Sequence, residues 1–306
     1  VGAGQLFTRL PRADLDGAGE WATHFPEREG GPQAQSCITC HAAPLPNGAG
    51  GIALNVAIDP LQTGDPALYL ERNTLHLFGL GAVQRVSEEM TQALHALRDT
   101  AAEQACAANA PVTVPLEAKG VGFGALTATP SGGAPCVAEI DTAAVQGVDD
   151  DLVIRMFGWK GTHATLRSFA RGAAHNEMGM QAVELVGDAD GDFDGVTGEL
   201  SVGDLTAAQA LGLLAERPLQ FNLTTDQPNN RVETDAGLVR LGSFETTEAG
   251  GATIRWYSDF KRHDMGPALA DPIDAYGFGA STWPTRSLAG VGSTGPWLHN
   301  GHATTL

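Results

Sequence analysis

Cys37-Ile38-Thr39-Cys40-His41 is the stretch on which the fold and chemistry of this 306-residue chain turn. Two thiols separated by two residues, with an imidazole directly after the second, match the attachment signature of a c-type heme. The thiols add to the two vinyl groups and the histidine becomes the proximal iron ligand. The spacing suits that chemistry because one helical turn presents all three groups together. Two other uses of Cys-x-x-Cys compete. A redox dithiol opens a helix in a βαβ setting, and no such pattern surrounds the motif. A structural zinc site needs a second Cys/Cys or Cys/His pair at short spacing, which Cys106 and Cys136 do not supply. The cofactor expected from the motif is one covalent heme c.

Heme c attachment belongs to oxidising, extracytoplasmic compartments, where spare cysteines pair. A Cys106–Cys136 disulfide is therefore expected, with two buried thiols as the alternative. The chain opens Val1-Gly2-Ala3-Gly4, without an initiator Met, a basic n-region or an apolar h-region, as a mature exported chain or a trimmed one would. The localisation this implies is periplasmic or extracellular. No apolar run reaches the roughly 20 residues that cross a bilayer. With 18 basic against 36 acidic residues the net charge is −18, which argues against nucleic acid or an anionic membrane surface as partner.

Thirty-nine glycines and 17 prolines predict many turns between short helices. The clearest helix spans 87–108, where Met90, Leu94, Leu97 and Ala101 share one face. Shorter helices are expected over 65–81, 166–180 and 205–215, the last with Asp204 as N-cap. Residues 109–148 lack helical period and read as loop with short strand, and the tail from Ala275 reads as loop. There is a faint internal echo. Gly161-Thr162-His163-Ala164-Thr165-Leu166 parallels Gly301-His302-Ala303-Thr304-Thr305-Leu306, each preceded by a Trp (159 or 297), and Arg72-Asn73-Thr74-Leu75 parallels Arg286-Ser287-Leu288.

The attachment motif, Arg72-Asn73-Thr74, Phe157-Gly158-Trp159-Lys160-Gly161 and Asn176-Glu177-Met178-Gly179 together resemble the bacterial di-heme cytochrome c peroxidase superfamily. His263-Asp264-Met265-Gly266 with Ala270-Asp271, and Thr285-Arg286 leading to Leu298-His299-Asn300-Gly301, resemble its di-heme oxidoreductase branch, labelled peroxidase or thiol oxidoreductase. The likeness is discontinuous but runs from about residue 30 to the end. It implies a mainly α fold of cytochrome c-like heme domains in two pseudo-repeat halves with extensive loops. Residues 1–204 would be the heme-binding half and 205–306 the second. The family carries a second Cys-x-x-Cys-His upstream of the His-Asp-Met-Gly segment. Here no cysteine follows Cys136, so the second half is expected to be degenerate or incomplete.

The resemblance implies roles for further residues. Glu177 matches the distal acid/base carboxylate, the group that moves a proton between peroxide oxygens. Trp159 would pass electrons or stack on porphyrin, or be a core indole. Arg72 would pair with a heme propionate, or with a protein carboxylate. His263 and Met265 are the candidate axial ligands, with His76, His175 and His299 as other imidazoles in family-like segments. From the residues alone, Asp188, Asp190, Asp192, Asp194 and Glu199 form an alternating acidic run around Gly195, which reads as a calcium loop or a solvated turn. The EF-hand template is not met, because position 12 counted from Asp190 is Ser201. The function expected is an extracytoplasmic heme oxidoreductase acting on hydrogen peroxide or a redox partner of cytochrome or cupredoxin type, against a non-catalytic electron-transfer or structural cytochrome.

Overall fold

The computed structural model describes residues 34–43, 48–190, 195–215, 231–234, 237–240, 245–246, 252–253, 256–288 and 290–306. The chain is a mixture of helix and sheet. Four α-helices and eleven strands in five small antiparallel sheets are present among these residues, which overturns the expected mainly α, cytochrome c-like architecture. No described helix is long and apolar enough to cross a membrane.

Strands β1 (Val56–Ile58) and β2 (Leu70–Arg72) pair as a hairpin whose connection holds a 3-10 turn, Pro66–Leu68. This replaces the helix expected over 65–81. Pro66 suits only the first turn of a helix, Asp65 Oδ1 accepts from Ala67 N, and Leu70 gains full burial by pairing. Helix α1 then runs over Leu80–Ala108, longer at its start than the apolar spacing shows. Gly79, at φ 68°, begins it, and a Cβ there would run into the Trp256 ring. Val83, Met90, Leu94, Ala101 and Ala105 form its buried face.

Strands β3 (Val112–Ala118), β4 (Val121–Pro130) and β5 (Ala138–Asp141) form a meander against α1. This sheet is the main reason the helical expectation failed. In β3, Thr113, Pro115 and Glu117 face out, while Val112, Val114, Leu116 and Ala118 turn inward, the period of a half-buried strand. Lys119 and Gly120 close the first hairpin with φ of 52° and 77°, the two positive angles a type I′ turn requires. The core joins α1 and this sheet through Met90, Leu94, Leu116, Phe123 and Leu126, and extends to Leu152, Ile154 and Phe260. The expected Cys106–Cys136 disulfide is present, tying the last turn of α1 to the segment before β5 with a Cα–Cα distance of 5.9 Å.

Helix α2 (Leu166–Met178) is capped by Thr165, whose hydroxyl accepts from Ser168 N, and ends at Gly179 in the left-handed region. After α3 (Val183–Val186), α4 (Val202–Ala215) opens with a reciprocal cap. Ser201 Oγ accepts from Asp204 N, and Asp204 Oδ2 accepts from Ser201 N, so Asp204 is the third residue of the helix rather than its cap. Two further hairpins, β6 (Arg231–Thr234) with β7 (Gly237–Arg240) and β8 (Glu245–Thr246) with β9 (Ala252–Thr253), precede β10 (Arg262–Asp264) and β11 (Thr282–Pro284). The β10–β11 connection again holds a Pro-Ala-Leu 3-10 turn, Pro267–Leu269.

The sequence echo has a backbone counterpart. Phe157 bridges His163 and Trp297 bridges Ala303, at equal spacing. Gly158 and Leu298 both have positive φ (75° and 69°), as do Gly161 and Gly301 (63° and 70°). Trp297 corresponds to Phe157 in this alignment, so the two tryptophans noted in the echo are not equivalent.

Candidate heme-attachment turn and buried polar hub

Cys37–Thr39 is a single 3-10 turn, and the amides of Cys40 and His41 both donate to Cys37 O, at 3.3 and 3.0 Å. Both thiols are free, Cys37 exposed and Cys40 half-buried. Burial raises the pKa of Cys40, with Glu177 and Cys37 adding to the effect. Burial lowers that of His41, opposed by backbone groups of Leu75 and Gly48. Its Nδ1 is buried without a hydrogen-bond partner. A neutral imidazole is the state a metal requires. Gly50 lets its segment pass close to this turn, since a Cβ there would meet Cys40 O at 2.6 Å. Two free thiols and a neutral histidine with an orphaned nitrogen fit a covalently held heme.

Glu177, near the end of α2, is brought to this turn. Its carbonyl accepts from Ala34 N at 3.1 Å, and its charge acts on the Cys40 thiol. His175, on the same helix, is buried. His76 lies within electrostatic reach of His41 and Arg286, and its pKa falls to about 4, through burial first and then those two groups.

A separate buried polar hub is centred on Asp271. Both of its oxygens accept from Arg72, each at 2.7 Å. The guanidinium fork of Arg72 is thus filled by a protein carboxylate, one of the two partners its sequence context allowed. Lys160 Nζ stands 3.8 Å from Asp271 and donates to the carbonyls of Gly279 and Ala280 at 2.8 and 3.0 Å. The indole of Trp283 stacks on His299 with centroids 4.3 Å apart, and Lys160 lies over it at 4.1 Å. Burial, followed by the charge of Arg72, lowers the His299 pKa to about 4. Trp159 donates from Nε1 to Asn73 O at 2.6 Å and packs edge-on against Trp283 and His299.

No family model, no curated protein and no solved structure matches the chain. What it does has to be read from its own residues.

The other candidates are dispersed. His263, in β10, pairs with Asp259 Oδ2 at 2.7 Å, and Met265 is 52% exposed. Neither is hydrogen-bonded or ion-paired to the attachment turn. In the acidic run, Asp188 is exposed, and Asp190 Oδ2 accepts from Gly195 N at 3.0 Å while its Oδ1 is buried without a partner. Glu199 Oε2 accepts from Gln181 N at 2.5 Å. Asp192 and Asp194 lie outside the described residues. Among the described residues, no group of three or more His, Cys, Asp or Glu is arranged to hold a metal ion. The hub residues Asp271 and Lys160 stood in the sequence only as members of family-like motifs. An aspartate and a lysine carry no signal of mutual burial until the chain brings 160 and 271 together.

Proposed function

We propose that this chain is an exported, peroxidase-like heme c oxidoreductase, similar to the di-heme oxidoreductase branch of the bacterial cytochrome c peroxidase superfamily but with one attachment site. The observation that carries the proposal is the single turn holding Cys37, Cys40 and His41, with both thiols free while the other two cysteines are bonded to each other. Bound there, heme c supplies a one-electron couple and an iron at which peroxide can be reduced. Cys37 and Cys40 would hold it through thioethers, and His41 through its ring nitrogen. Glu177, whose charge acts on the Cys40 thiol, would hold and return the proton that passes between the peroxide oxygens. Electrons would come from a protein partner of cytochrome or cupredoxin type. The net charge of −18 favours a basic or neutral docking face on that partner. Electron transfer without catalysis is the competing reading, favoured by the absence of any cysteine after Cys136.

A pyridine hemochrome assay on the natively exported protein tests this. One c-type heme per chain is expected, with Cys40→Ala losing normal two-thioether attachment. A chain that holds no heme, or zinc in its place, ends the proposal.

A further inference from the structure

Asn73 directly follows β2 and is 3% exposed. Both of its backbone groups are taken up by distant segments. Its N donates to His299 O at 2.6 Å, and its O accepts from Trp159 Nε1 at 2.6 Å. The side chain is left for the residues before β1. Its Nδ2 donates to Asn55 Oδ1 at 2.7 Å and reaches Gly50 O at 3.5 Å, so one amide grips both ends of the stretch 50–55. Asn55 is itself buried, and its Nδ2 donates to Asn300 O at 2.8 Å. Buried amides that satisfy one another in this way fix the backbone they join.

The stretch that Asn73 holds lies against the attachment turn. A Cβ on Gly50 would stand 2.6 Å from Cys40 O and 3.0 Å from Thr74 Cβ, so Gly50 is wedged between the second attachment cysteine and the neighbour of Asn73. Ala43 N donates to Ala49 O at 2.8 Å and continues the contact past His41. The turn's own bonds, from Cys40 N and His41 N to Cys37 O, set where Cys40 stands relative to Cys37. They do not set where the turn stands relative to the rest of the chain. The contact with 49–50 does that, and it falls on the half-buried Cys40 rather than on the exposed Cys37. Two sulfurs must reach one rigid porphyrin, and a misplacement of about 1 Å can slow a positioned reaction about 10²-fold.

We propose that Asn73 is a positioning residue for heme attachment: by holding Gly50 against Cys40 it places the second thiol for its vinyl group. The inference rests on heme attachment at Cys37–His41, and the two can be separated experimentally. In each attachment step a thiol adds across a vinyl double bond. Sulfur bonds to the inner carbon, the thiol hydrogen ends on the outer one, and there is no net oxidation. Wild type, Asn73→Ala, Gly50→Ala and Leu94→Ala are compared as full-length exported chains. Heme content is measured first, and alkylation with peptide mapping then counts the thiols left unreacted at Cys37 and Cys40. Asn73→Ala deletes the amide but keeps the backbone bonds to His299 and Trp159. Gly50→Ala drives a methyl group toward Cys40 O, at a residue with no positive φ to resist alanine by itself. Leu94→Ala opens a cavity in a core that includes no residue of the turn. Wild type should carry heme and present neither thiol. In Asn73→Ala and Gly50→Ala most heme-bearing chains should keep Cys37 bonded and present an alkylatable Cys40. Leu94→Ala should lower the yield yet leave both cysteines bonded, because a general loss of stability does not choose between the two sulfurs. Wild type without heme would remove the heme reading and this inference together. A heme-bearing Asn73→Ala with both thioethers intact would overturn the inference alone, as would equal loss at both cysteines or loss at Cys40 in Leu94→Ala. Should Asn73→Ala fail to accumulate, Gly50→Ala decides by the same count.

Discussion

Replacing Asp271 by alanine tests the hub directly. The carboxylate accepts two parallel bonds from Arg72 at 2.7 Å, and the two side chains are only 10% and 2% exposed, so solvent screens the pair weakly. Charge-assisted hydrogen bonds contribute about 1.5–3 kcal/mol each, but much of that is offset by desolvation of both ions. What the substitution exposes is the asymmetry. Removing one partner strands the other in the interior, which costs about 3–5 kcal/mol. Lys160 suffers less, because its bonds to Gly279 and Ala280 and its place over Trp283 survive. A loss of about 3–5 kcal/mol is therefore expected in equilibrium urea unfolding followed by tryptophan fluorescence and circular dichroism, with unchanged denaturant dependence. Arg72→Met combined with Asp271→Leu should recover part of the loss, since an apolar pair replaces a buried ion pair at little cost. Recovery stays incomplete because Lys160 then lacks its anion. If Asp271→Ala costs less than about 1 kcal/mol, the hub is not an uncompensated-charge trap and the reasoning fails.

Cys106→Ser with Cys136→Ser should lose about 3–4 kcal/mol, the chain-entropy value for a loop of separation 30. Non-reducing peptide mapping should recover the linked peptides, and two alkylatable thiols in the native protein would contradict the bond. His299 has a folded-state pKa of about 4, below its unfolded value of about 6.5. Its contribution is full above pH 6.5 and falls as pH drops toward 4, because only the unfolded chain takes up the proton in that window. About 1 kcal/mol should disappear there after allowance for screening, and pH-dependent melting of His299→Gln should lack that component. The reading of 188–199 as a calcium site predicts that added calcium raises the melting temperature, with Asp190 Oδ1 as one candidate ligand atom. Chelator should reverse the increase, and an unchanged curve counts against the ion. Glu177→Gln should slow reaction with hydrogen peroxide by about 10²–10⁴-fold while leaving heme content normal. Indifference to this change, with a low-spin spectrum, would favour the electron-transfer cytochrome.

Local signals in the sequence translated well wherever a single stretch of chain decides the outcome. The Cys37–His41 turn needs only its own backbone bonds, and the helix around 87–108 follows from apolar spacing, while those expected over 166–180 and 205–215 are also present. Their ends shifted where capping chemistry won, as at Ser201 with Asp204. Residues 112–118 alternate as a half-buried strand does, but the Thr, Gly and Pro around them fit loop as well as strand, so 109–148 reads as loop with short strand and the extent of the sheet is not legible there. The mainly α architecture came from the family likeness, which carries no signal for this meander. The 65–81 segment failed for another reason. Its strand exists because Leu70–Arg72 pairs with Val56–Ile58, a contact that no window over 65–81 contains. The hub was the least legible part. Arg72, Lys160, Asp271 and His299 lie far apart in sequence and announce nothing singly.

The arrangement of the two hairpins explains why the hub is non-local. The exit of β2 is tied to the late loop, with Asn73 N donating to His299 O at 2.6 Å and Asn55 Nδ2 to Asn300 O at 2.8 Å. The β10–β11 hairpin is tied instead to the early loop, with Arg262 Nη2 donating to Gly161 O at 2.6 Å and Arg286 to Met156 and Gly158. Each hairpin therefore grips the loop that lies nearer the other hairpin in sequence, and residues as far apart as 55 and 300 must meet. The α1 and β3–β5 core has mostly short-range contacts, whereas the hub demands closure of nearly the whole described chain, and loop-closure entropy must be met before such contacts repay it. Arg286, His76 and the attachment turn belong to this late-closing part.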